Sequence, residues 1–205
     1  MINEAFSLIR EELVDYLEIN GYESDAQDMV LVENIGLFDS SSSGINFDDK
    51  IVLTLVNIEE ESTLKNLPAV RKNFPLAQYA NPPVYLNLYM LVTACNKSSS
   101  GMSYLDSLEK LSIVIRFFNG KTSFSTKTSS FYDPIKFGIQ EILDMKITHE
   151  LYTCTFEQIN HLWGTLGGKQ MPFLMYKLRL VAISDRKVLR DAALIQEIET
   201  KSNKL

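Results

Sequence analysis

The chain has 205 residues, 45% of them apolar, with nine glycines, six prolines and a formal net charge of −6. That is enough to bury one core of ordinary domain size, and the composition lies outside the disordered, collagenous and disulfide-rich classes. An acidic chain gains little from counterion release on DNA or RNA and is repelled by anionic lipid, so neither nucleic acid nor a membrane is an expected partner.

Ile2, Phe6, Ile9, Leu13 and Leu17 recur at spacings of three and four, which predicts a helix over 2–19 that stops at Asn20-Gly21. The acidic residues Glu4, Glu11 and Glu12 within it do not fit a signal or transit peptide. A short strand is expected over 29–33 and an exposed loop over the Ser/Gly/Asp-rich 39–49. Residues 50–62 read as a central strand, apolar on both faces at first and ending in Glu59, Glu60 and Glu61. Segment 64–83 holds four of the six prolines and reads as a loop, because proline cannot donate to a sheet ladder. Strict alternation makes 84–94 a second strand.

A helix is expected over 103–119, capped by Ser103 and Asp106, with Leu105, Leu108, Leu111, Ile115 and Phe118 as its buried stripe. The Ser/Thr-rich 122–130 reads as a loop, and 139–147 with 150–153 as two β segments that suit a hairpin. Thr155 and Gln158 form a capping box ahead of a helix over 156–166, stopped by Gly167-Gly168. A strand over 173–184 and a polar tail over 191–205 complete the chain. This order predicts an α/β (α+β) fold, a single mixed sheet flanked by helices in one domain over 1–190, followed by the tail.

Chemistry is sparse. His149 and His161 are the only histidines and neither has a ligand-spaced partner, so no metal site is expected. Cys95 and Cys154 read as reduced thiols. A hydrolase built on Cys154 and His161 is the enzymatic alternative, without a local motif behind it. The run from Gly164 to Lys169 has one residue too few for a phosphate loop and follows a helix rather than a strand, so it reads as a helix stop. The three glutamates form either a solvated strand end that discourages edge pairing or a surface that docks a basic neighbour, with Glu59 and Glu61 on one face and Glu60 on the other. Trp163, the only tryptophan, is a core residue or an interface anchor.

Four separated segments carry a resemblance: 51–61 (IVLTLVNIEEE), 81–89 (NPPVYLNLY), 117–121 (FFNGK) and 157–169 (EQINHLWGTLGGK). Together, over roughly residues 2–185, the chain resembles the tail-terminator (cap) family of extracellular contractile injection systems, of the Photorhabdus virulence cassette and antifeeding prophage type. The resemblance implies a phage tail-terminator-like fold and a structural role without catalytic residues, metal or cofactor. It also implies a homo-hexameric ring on the distal end of the inner tube that contacts the last sheath ring and stops polymerisation. Another structural adaptor of the same machine is the alternative. Assembly would take place in the bacterial cytoplasm, within a particle that is released or anchored. The motif positions least needed for a core are the expected protein-interface residues: Glu59, Glu60 and Glu61; Asn81, Pro82 and Pro83; Asn160, His161 and Gly164.

Overall fold

The computed structural model describes residues 2–22, 26–38, 44–64, 70–73, 76–80, 83–96, 101–129, 145–167, 169–183 and 188–193. Helix α1 (Ile2–Ile19) leads through the single turn α2 (Ala26–Met29) into strand β1 (Val30–Val32), and β2 (Lys50–Glu60) follows. After β3 (Val70–Asn73) and β4 (Leu76–Ala80) come β5 (Val84–Cys95), α3 (Gly101–Gly120), β6 (Ser123–Ser125) and β7 (Lys146–Leu151). Helix α4 (Phe156–Thr165) precedes β8 (Phe173–Ile183) and β9 (Val188–Ala193).

Six strands form one sheet in the order β1-β2-β5-β8-β7-β6, and every neighbouring pair is antiparallel except β1 with β2. The sheet is mixed and carries helices on both sides. On one side Ile51, Leu53, Leu88, Met90 and Leu178 pack against α1 and α3. On the other, Val52, Leu91 and Met175 pack under Trp163 of α4, with Ile35 and Phe47 alongside. Each large apolar side chain fully withdrawn from water contributes about 1.5–3 kcal/mol before the entropy of ordering is charged against it. The apolar-on-both-faces start of β2 is therefore explained: both faces are covered.

A second sheet, β3-β4-β9, departs from the single sheet expected. Within 64–83, expected as a loop, β3 and β4 form as short strands and Pro83 directly precedes β5, so a proline-rich segment there does not abolish strands. Leu76 pairs with Ala193 and Tyr79 with Arg190, which places the start of the expected polar tail in a strand; 194–205 lies outside the described residues. Pairing of Glu60 with Leu86 and of Val84 with Ile183 gathers the end of β2, the start of β5 and the end of β8 at one end of the main sheet. The chain enters and leaves the small sheet from these three neighbouring strands.

Three further expectations are revised. Helix α3 begins at Gly101, so Ser103 stands inside its first turn. Within 122–130, β6 forms because Phe124 is fully buried and pairs with Ile147. The expected hairpin is replaced, in its described part, by the single strand β7 between β6 and β8; 139–144 lies outside the described residues. No helix among the described residues is long and apolar enough to cross a membrane.

Candidate interaction surfaces

The acidic end of β2 lies on the sheet side that faces α4. A bulge at Val56 adds one residue to β2, after which Glu59 stands opposite Asn87 and Asn57 opposite Tyr89. In β5, Asn87 and Tyr89 share a face with Leu91, which packs under Trp163. The expected alternation holds: Glu59 and Glu61 reach partners on this face, whereas Glu60 is set opposite Leu86 of the other core.

The polar side chains form two cross-strand rungs. Tyr89 Oη donates to Glu59 Oε2 at 2.7 Å, and Lys177 Nζ lies 3.6 Å from the same oxygen and 5.3 Å from the Tyr89 ring centroid. In the second rung, Asn87 Nδ2 donates to Glu61 Oε2 at 3.0 Å. Arg179 donates to Glu150 at 3.2 Å and approaches Glu61 at 3.9 Å. The basic neighbour sought by this acidic cluster is thus supplied within the chain, by β8. Exposed ion pairs of this kind contribute about 0–1 kcal/mol each, so the ladder orders a surface more than it holds the fold.

The Glu61 carboxyl titrates low. The Asn87 amide, then the Thr63 hydroxyl and backbone N–H, with Arg179 adding charge, hold its carboxyl at about 2, down from an ordinary 4.5. A carboxyl with a lowered folded-state pKa stabilises the fold above its unfolded pKa. That contribution is lost as pH falls from about 4.5 through about 2. Acid titration followed by circular dichroism should therefore show a shallower stability loss across that window in Glu61→Gln than in the native chain; identical curves would remove this role.

Helix α4 presents the second surface. Thr155 Oγ1 accepts from Gln158 N at 3.3 Å and Gln158 Oε1 accepts from Thr155 N at 2.9 Å, so the predicted capping box is complete. Such caps are worth about 1 kcal/mol. Gly167 follows at φ +110°, a left-handed position that suits the predicted glycine stop; Gly168 lies outside the described residues. Ile159, Leu162, Trp163 and Leu166 point inward, and Trp163 meets the Phe173 ring edge-on at 5.6 Å. The reading of Trp163 as a core residue holds, at 4% exposure.

The outward face of α4 carries Glu157, Asn160, His161 and Gly164. The structure thus brings together Asn160, His161 and Gly164 on one exposed face, on the same side of the sheet as Glu59 and Glu61. A Cβ at Gly164 would meet nothing within 4 Å, so no neighbour in its own chain requires glycine there. Mid-helix glycine costs about 1 kcal/mol relative to alanine. Pro83 is half-buried directly before β5, while Asn81 and Pro82 lie outside the described residues.

Two apolar features escaped the sequence reading. Phe156, in the first turn of α4, is 88% exposed although its spacing from Ile159 and Trp163 matches their buried stripe. On α3, Leu105, Leu108 and Ile115 are exposed together with Tyr104, contrary to the expected stripe. The face that packs inward carries Leu111, Val114, Phe117 and Phe118, with Lys110 turned to the carbonyl and carboxylate of Asp49. α3 is apolar on two sides, and periodicity alone does not choose between them.

The Cys154–His161 pair is not formed. The Cys154 thiol lies 3.6 Å from Met175 Sδ and burial pushes its pKa up, away from the reactive thiolate. His161 is outward and 3.8 Å from Glu157. His149 Nε2 bonds the Lys121 carbonyl at 2.6 Å, with its ring against Phe118 and Phe124. Among the described residues no three His, Cys, Asp or Glu side chains gather as a metal site would require.

A family model described as the Pvc16 N-terminal domain matches residues 7–197. Among solved structures, the chain is similar to the sheath/tube terminator, in its extended state, of the extracellular contractile injection system PVC. The TM-score is 0.65 and the identity 13%, over 100% of this chain and 64% of that one. It is also similar to the tube-terminating cap of the anti-feeding prophage, with a TM-score of 0.50 and 13% identity over 78% of this chain and 54% of that one. The chain therefore spans less than two thirds of the length of either protein, and at such identity the likeness establishes the fold. None of the curated proteins matches the sequence.

Proposed function

This chain belongs to the Pvc16 N-terminal domain family, and on that footing we propose that it is the structural cap of a phage-tail-like contractile injection particle. It sits on the distal end of the inner tube, meets the last sheath ring and stops polymerisation, turning no substrate over. The observation that carries this reading is the family match over 7–197, which takes in both sheets and α4.

Six copies close a ring through heterologous, head-to-tail contacts, because a terminator must match its polymer on one face and offer no new polymer-binding face on the other. The contact residues are those on the α4 side of the sheet, Glu59, Glu61, Asn160, His161 and Gly164, together with Glu60, Asn81, Pro82 and Pro83. Phe156 supplies the large aromatic anchor that such contacts need. Gly164 supplies bare helix backbone for close approach, which accounts for a glycine its own fold does not require. The chain is made and assembled in the bacterial cytoplasm and leaves it as part of an extracellular particle.

Electron microscopy of particles from a deletion strain tests the role. The expected result is loss of length control or of intact particles, restored by the native gene and by Gly164→Ala but not by Gly164→Trp. Particles of normal length and stability in the deletion strain would overturn it. So would labelled protein located at the baseplate end, where another adaptor of the machine would sit.

A further inference from the structure

We draw no further inference here: the strongest candidate, the exposed apolar face of α3 formed by Tyr104, Leu105, Leu108 and Ile115, carries nothing because nothing in the structure shows what covers it.

Discussion

Trp163→Ala is expected to cost about 3–5 kcal/mol of stability, the range for removing a buried large aromatic side chain. Trp163 is the wedge that fixes α4 to the sheet, packed against Phe173 and set over Val52, Leu91 and Met175. Its Nε1–H is buried without an acceptor, so part of what the ring contributes is offset by an unsatisfied donor. Trp163→Phe keeps much of the packing and deletes that donor, and should fall within about 1.5 kcal/mol of the native chain. Urea unfolding of the two variants separates these outcomes. A cost below about 1 kcal/mol for the alanine variant would mean that Trp163 is not what holds α4. Because the proposed contact face is the outer side of this helix, the alanine variant should also loosen Asn160, His161 and Gly164, visible as faster amide exchange.

Phe124→Ala should cost a similar amount, about 3–5 kcal/mol. Phe124 is fully buried in a ring cluster, stacked on Phe117 at 5.4 Å and edge-on to Phe118 at 5.7 Å, with His149 at 5.3 Å. It is the only large apolar residue of β6 and lies opposite Ile147 of β7. Its loss opens a cavity beneath α3 and removes the reason for β6 to pair at all. Unfolding in urea measures the first effect, and hydrogen exchange at Ser123–Ser125 measures the second. A stability change below about 1 kcal/mol would place Phe124 outside the core.

These two residues show what could be read in advance. Trp163 lies in a segment where a capping box, a helical apolar stripe and a glycine stop agree within a dozen residues, and α4 followed as expected. Phe124 lies among serines and threonines, where local composition favours a loop; its strand exists only because β7 and the ring cluster are there to receive it. The same contrast separates β5, legible from its alternation, from β4, whose partner β9 is far off in the sequence. At the candidate surface the alternation of Glu59, Glu60 and Glu61 was legible in the strand period. Their partners Tyr89, Asn87, Lys177 and Arg179 were not, because three different strands had to be placed side by side first.

Local pattern alone gave α1, the two-faced burial of β2, the strands β5 and β8, the capped α4, and a family resemblance carried by four ordered segments. Each is written in contacts or patterns a few residues long. Which apolar side of α3 turns inward, that 70–73 and 76–80 join 188–193 in a second sheet, and that β1 pairs with β2 only as far as Leu53 became visible once the fold was in hand. The physical reason is that apolar periodicity shows that a face wants burial, whereas the element that covers it is chosen by pairings distant along the chain.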